Sequence, residues 1–324
     1  MKSKINLPMI LLAVAALGIP IILTNIELPG DNYLWRVIAN TGHIPLFGMF
    51  SLVMLVLSVK ILGTSVRKRY LHYVISLAVA MVMGVISEFS QISGHRDADV
   101  WDLVRDIGGA ISFLGLCMLF DHQMETSWKK WGRKAKALVA LIIFLILSVG
   151  IAPMVLWAGA YWHRDNAYPE ICGFDSLWET MFRKTKGAKL IVVAPPEKWK
   201  SSLGDRVGRL TFQPVTYSEI TVLETDPDWT GYKYFTFEVY SELDSEIYLT
   251  LRIEDVYHNN RHDDRFNRRI SVAPGLNQVA IPLLDIRTAP KQREMDMTAI
   301  RTFSLFAYKP VDTFTIYLDN FKLQ

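Results

Sequence analysis

The first half of this 324-residue chain is built on apolar runs too long to hide in the core of an ordinary soluble domain. A hydrocarbon layer about 30 Å thick takes roughly 20 residues of helix to cross. Five segments meet that demand: residues 7–23, 44–62, 72–90, 102–120 and 137–157. Past Trp162 the runs stop and the chain turns polar and rich in aromatics. The 51% hydrophobic content is thus an average over two unlike halves, with residues 1–162 predicted as a transmembrane helical domain and 163–324 as a second domain.

The short loops set the orientation, because Lys and Arg are retained on the cytoplasmic side. Lys2 and Lys4 precede the first span. Lys60, Arg67, Lys68 and Arg69 lie between the second and third, and Lys129, Lys130, Arg133, Lys134 and Lys136 between the fourth and fifth. The opposite loops hold only Arg36, Arg96 and Arg105. The N-terminus is therefore expected in the cytoplasm, the bundle in the membrane, and the C-terminal domain outside the cytoplasm. A cleaved signal peptide is the competing account of the first segment, but its apolar character continues past Ala16 through Ile21, Ile22 and Leu23. The net charge of +3 sits largely beside apolar runs and does not suggest nucleic-acid binding. Cys117 and Cys172 fall on opposite sides of the membrane, too far apart for a disulfide. Cys172 is expected to be a small buried hydrophobe.

Polar residues gather at the outer edge of the bundle. Glu88 and Gln91 share a helical face at i, i+3, and Asp99, Asp102 and Asp106 align at i, i+3, i+7. Carboxylates at a membrane edge are costly unless they are paired or face a hydrated cavity. Arg96 is the nearest candidate partner, followed by Arg105 and by His43 at the start of the second span. Two accounts stand: a solvated helix cap with surface ion pairs, or a polar pocket for a charged headgroup or metal. Glu88, Asp102, Asp106 and His43 are the candidates for chemistry there, with Gln91, Arg96 and Asp99 as candidate ligand contacts.

The pattern Glu88-x-x-Gln91, Arg96, Asp102 and Gly108-Gly109, with the entry segment Gly42-His43-Ile44-Pro45-Leu46-Phe47-Gly48, resembles the VanZ-like family of bacterial membrane proteins over residues 38–120. Asp106 departs from that pattern, which has Asn there. The resemblance implies a cell-envelope role in a bacterial inner (plasma) membrane, with the C-terminal domain in the periplasm or outside the cell; some members are linked to glycopeptide-antibiotic tolerance, and no established reaction is supplied.

In the second half, apolar residues alternate with period two: Phe235, Phe237 and Val239; Ile247, Leu249, Leu251 and Ile253; Phe303 and Leu305; Phe314, Ile316 and Leu318. Turn signals such as Pro274-Gly275 and Asp226-Pro227-Asp228 separate these runs. Short half-buried strands of this kind predict a two-sheet antiparallel sandwich. The full expectation is a five-span α-helical bundle followed by an all-β jelly roll.

Four segments carry a second resemblance: Ile171-Cys172-Gly173-Phe174-Asp175, Asp228-Trp229-Thr230-Gly231-Tyr232, Asp264-Arg265-Phe266-Asn267-Arg268 and Tyr317-Leu318-Asp319-Asn320. Over residues 169–324 they are similar to galactose-binding-like and carbohydrate-binding-module-like jelly rolls, including the complex I intermediate-associated family. That architecture often holds a structural calcium between first- and last-strand carboxylates, which here implies Asp175 and Asp319. Two residues are few ligands for that ion.

The stretch 257–265 is dense in hydrogen-bonding groups: Tyr257, His258, Arg261, Asp264 and Arg265 are its candidate ligand contacts. With Tyr248, Phe306 or Tyr308 on the same side it offers the stacking and polar rim that a sugar needs. The plainer account is a solvated loop whose arginines pair with its aspartates. A zinc site from His258, His262 and Asp263 has the right spacing in the wrong context, strand and loop.

No phosphate loop, nucleophile elbow, paired-Cys motif or dinucleotide fingerprint is present, which argues against familiar soluble enzymes and leaves catalysis in the membrane open. The expected function is a membrane-anchored envelope protein whose sandwich contacts a glycan. The alternatives are an enzyme or carrier for a lipid-linked phosphate at the outer bundle face, and a sandwich that binds a protein. Oligomeric state is left open.

Overall fold

The structure, a computed structural model, describes residues 29–30, 32–63, 66, 68–92, 100–199 and 206–324, together with Gly18. The span expected at residues 7–23 lies, except for Gly18, outside the described residues, as do the side chains at 90–92. Two compact units divide the chain, one ending at Ala158 and the other running Gly159–Gln324.

The other four expected spans are helices: α1 (Tyr33–Leu62), α2 (Arg69–Ile92), α3 (Val100–Phe120) and α4 (Glu125–Ala167), with a 3₁₀ turn at His122–Met124. Among the described residues four helices are long and apolar enough to cross a membrane, with windows of mean hydropathy 2.1, 1.8, 1.7 and 2.8. α1 starts well before residue 44 because Asn32 caps it, its Oδ1 accepting the Trp35 N–H at 2.9 Å. α4 starts before residue 137 because the basic stretch is itself helical, broken at Gly132, where φ is 86°.

Small residues let the helices approach closely. A Cβ at Gly109 would collide with the Ile44 carbonyl, and one at Gly48 with the Phe113 ring. Outward, Val74, Val82, Ile86, Phe144, Val149 and Val155 stand exposed, and only 6% of the apolar window of α4 is buried. Contiguous apolar surface of this kind costs about 25 cal/mol per Å² in water and belongs in hydrocarbon.

The second unit is an antiparallel sandwich. One sheet has the order β3 (Ala188–Val193), β4 (Val207–Phe212), β11 (Phe314–Leu323), β6 (Tyr234–Ser241), β9 (Gly275–Pro282), with β1 (Glu170–Cys172) also paired to β11. The other runs β2 (Arg183–Lys186), β5 (Tyr217–Leu223), β10 (Ile300–Tyr308), β7 (Ile247–Asp255), β8 (Phe266–Val272). The alternating apolar residues meet between the sheets. Phe237 stacks on Phe321 at 4.8 Å, Phe303 on Phe321 at 5.1 Å and Trp229 on Phe235 at 5.0 Å. Fully burying each such ring contributes about 1.5–3 kcal/mol. Trp229 also donates its indole N–H to the Asp226 carbonyl at 2.9 Å, so no polar atom is stranded.

The Asp319-Asn320 pair has a backbone explanation. The β11–β6 register shifts between Asp319 and Lys322, and Asn320 takes φ 58° at that bulge. Asn tolerates this left-handed conformation better than most side chains.

Candidate functional site

In β5, β7 and β10 the inward positions include Ile220, Val222, Leu249, Leu251, Phe303 and Leu305, so the intervening residues stand on the outer face of the five-stranded sheet. Register places Tyr308 opposite Tyr217, Phe306 opposite Glu219 and Thr250, and Thr250 opposite Arg269. The rings of Tyr217 and Tyr308 lie 5.2 Å apart and those of Tyr217 and Phe306 5.8 Å. Tyr217, Tyr248 and Tyr308 are 47%, 48% and 56% exposed. Arg269 stacks 3.8 Å above the Tyr248 ring, and Tyr248 donates its hydroxyl to Glu246 at 2.8 Å. The result is an aromatic strip across adjacent strands, rimmed by Glu219, Arg269 and Lys186.

The neighbouring loop has a different character. Arg293 bridges Asp255, at 2.5 and 2.7 Å, and Asp264, at 2.6 and 3.2 Å. His258 packs between the Asp264 carbonyl, 3.0 Å away, and Glu254, 3.2 Å away. Arg265 and Arg252 also reach Glu254, at 3.3 and 2.5 Å. The hydrogen bonds from Arg293 hold the Asp264 carboxyl down to about 2. His258 thus holds to Asp264, and His258 and Arg265 both pair with Glu254 at the β7 terminus, whereas Tyr257, 66% exposed, and the exposed Arg261 point to solvent. Arg293, distant in sequence, is the hub that loop composition did not reveal.

A cleft of about 870 Å³ opens on the other sheet, lined among others by Arg209, Tyr240, Glu242, Asp244, Lys198 and Tyr317. Trp199 lies nearly parallel on Tyr240 and covers that ring, and Tyr317 donates its hydroxyl to Glu242 at 3.1 Å. Asp319, buried in β11, faces Glu238 in register, whereas Asp175 accepts the Arg206 N–H at 3.1 Å and neighbours Glu170. Burial, followed by the charges of Glu179 and Asp175, raises the Glu170 carboxyl. Among the described residues no group of three or more His, Cys, Asp and Glu side chains is placed to hold a metal ion.

In the bundle, His43 Nδ1 lies 2.8 Å from Asp106 Oδ1, and His43 Nε2 lies 3.8 Å from Asp102 Oδ2. Asp102 is ion-paired with Arg105 one turn on. Asp106 is 1% exposed, and its Oδ2 is buried without a hydrogen-bond partner among the described residues. Glu88 is buried nearby and acts on His43 electrostatically. Sequence spacing aligned the aspartates; it did not show that α1 delivers His43 between them. Arg96, Asp99 and the side chain of Gln91 lie outside the described residues.

An apolar helical region followed by an antiparallel β-sandwich is the class of protein this fold defines. The sandwich is similar to the family 11 carbohydrate-binding module from Clostridium thermocellum, solved with a beta-1,3-1,4-mixed-linked tetrasaccharide, at 16% identity and TM-score 0.37 over 48% of this chain and 93% of that one. It is also similar to an exo-beta-agarase, at 14% identity and TM-score 0.38 over 48% of this chain and 25% of that one. A third likeness is to the family 30 carbohydrate-binding module of the cellulosomal cellulase Cel9D-Cel44B of Clostridium thermocellum, at 15% identity and TM-score 0.33 over 44% of this chain and 86% of that one. No family model matches the chain, and no curated protein matches it.

Proposed function

We propose that this is a membrane-anchored glycan-binding protein of the bacterial cell envelope, its VanZ-like bundle in the inner membrane and its sandwich outside the cytoplasm. The observation that carries the proposal is the strip of Tyr217, Tyr248, Phe306 and Tyr308 on the outer face of the five-stranded sheet. Pyranose rings present apolar C–H faces that stack on aromatics, while their hydroxyls need charged or amide partners at the edge. Glu219, Arg269 and Lys186 are placed to serve as that edge. The unit Gly159–Gln324 has its own core and can be tested alone. Glycan-array binding of the isolated unit is expected, and Tyr217→Ala with Tyr308→Ala should weaken it at least tenfold. Loss of binding through Arg209→Ala in the opposite cleft, with the tyrosine variants unaffected, would rule out this face.

A second function rests on the buried His43–Asp106 pair with Asp102 and Arg105 beside it. Asp106 orients the imidazole, and His43 Nε2, on the Asp102 side, would exchange a proton with a polar headgroup. The substrate class would be a lipid-linked phosphate. Turnover of a polyprenyl diphosphate by the purified full chain, abolished in His43→Gln and Asp102→Asn at unchanged protein level, is the outcome it requires. An inert native protein excludes it.

A further inference from the structure

At the opposite end of the bundle from His43, α4 is two helices joined at Gly132, whose φ of 86° and ψ of 165° suit only glycine. The leading segment is docked rather than free. Met124 and Trp128 are buried with Leu55, Tyr73 and Leu114, and the Trp128 indole donates to the Met118 carbonyl at 3.1 Å. Trp131 packs edge-on against both Trp128, at 5.3 Å, and Tyr70, at 6.1 Å.

The turn at Gly132 leaves a cavity of about 540 Å³ between this segment, the start of the long apolar helix and the end of α3. Its walls are of two kinds. Leu119 and Phe120, the latter 76% exposed, supply the apolar side. Lys129, Arg133 and Lys136 supply the cationic side. The acidic groups in the wall are already matched: Asp121 takes Arg69 Nε at 2.7 Å and the Tyr73 hydroxyl at 2.8 Å, and Glu125 pairs with Lys129 at 2.9 Å. Among the described residues, Arg133 and Lys136 have no carboxylate partner.

We propose that this cavity binds the phosphate of an anionic phospholipid, with Arg133 and Lys136 on the headgroup and the acyl chains along Leu119 and Phe120. The site rests on the bundle spanning a bilayer and is independent of glycan binding. A tryptophan-rich segment lying before a span is what an interface favours, because the indoles sit at headgroup level. The basic loops set this end on the cytoplasmic side, where anionic lipids attract juxtamembrane Lys and Arg. Arg offers a phosphate two parallel N–H donors, and Lys offers a mobile point charge.

The test is native mass spectrometry of the detergent-purified full chain with an equimolar mixture of phosphatidylglycerol and phosphatidylcholine. Retention of phosphatidylglycerol over phosphatidylcholine by about tenfold is expected, falling to near parity in the Arg133→Gln/Lys136→Gln variant. The Lys130→Gln/Lys134→Gln variant, which removes the same charge outside the cavity, should keep the preference. Equal loss in both variants would reduce the effect to general charge attraction and overturn the site, as would equal retention of the two lipids by the native chain. Glycerol phosphate at matched concentration should displace little phosphatidylglycerol. Full displacement would make the ligand a soluble phosphate and refute the lipid assignment.

Discussion

Arg293→Met in the isolated sandwich separates a structural loop from a ligand-binding one. Asp255 has a fully buried side chain, and its charge is met by two Arg293 nitrogens and by the Asp296 N–H at 2.9 Å. Removing the guanidinium leaves that carboxylate in the protein interior with one backbone donor. It also frees Asp264, which is held by Arg293 and by the Asn259 N–H at 2.9 Å. Breaking one side of a buried ion pair costs about 3–5 kcal/mol, because the surviving charge is left without compensation. For a domain of 150–250 residues each kcal/mol lowers Tm by about 2–4 °C, so a fall of roughly 6–20 °C is expected. Thermal unfolding followed by circular dichroism measures it. Adding Asp255→Asn should restore at least half of the loss, because the orphaned charge disappears while the amide carbonyl still accepts the Asp296 N–H. A fall below about 3 °C, or no recovery in the double variant, would show that the cluster behaves as exposed surface pairs and refute its role as a clamp on the β7 end.

Asp264 gives the sandwich an acid limb with a definite sign. Its carboxyl is held at about 2, below an unfolded value of about 3.9, so its stabilisation is complete above pH ~4 and is lost as pH falls toward 2. Urea titrations between pH 5 and 2 should show that slope, and Arg293→Met should flatten it. Cys172 is buried and its thiol pushed up by that burial, so it should resist maleimide labelling in the native sandwich and react only on unfolding. Gly109→Leu places a side chain against the Ile44 carbonyl at a helix crossing, and detergent-extracted protein should fall sharply in yield or melting temperature relative to Gly42→Ala, where a Cβ meets nothing within 4 Å. Unchanged folding of the Gly109 variant would show that the crossing is looser than described.

Much of the fold was readable in one dimension because its cause is local. An apolar run of some twenty residues has to pair its own backbone groups, so helices covering residues 44–62 and 137–157 could be placed from composition alone. Strict alternation in Phe235–Val239 and Ile247–Ile253 needs a half-buried strand, and β6 and β7 fall there. Helix starts were less legible. The cap at Asn32 and the positive φ at Gly132 are single-residue events inside stretches that composition describes as loops.

What the chain order could not disclose was which distant side chains meet. His43 and Asp106 are 63 positions apart, Arg293 and Asp255 38, and Tyr217 joins Tyr308 only because β5 pairs with β10. A side chain's polarity and spacing follow from its own neighbours in the chain. Its partner depends on sheet order and helix crossing, which are settled by burying every apolar face at once. That is why the sequence by itself determined an oily helical half and an alternating β half. The tertiary structure alone turned the hydrogen-bonding loop at 257–265 into a clamp and brought the tyrosines of three strands onto one face.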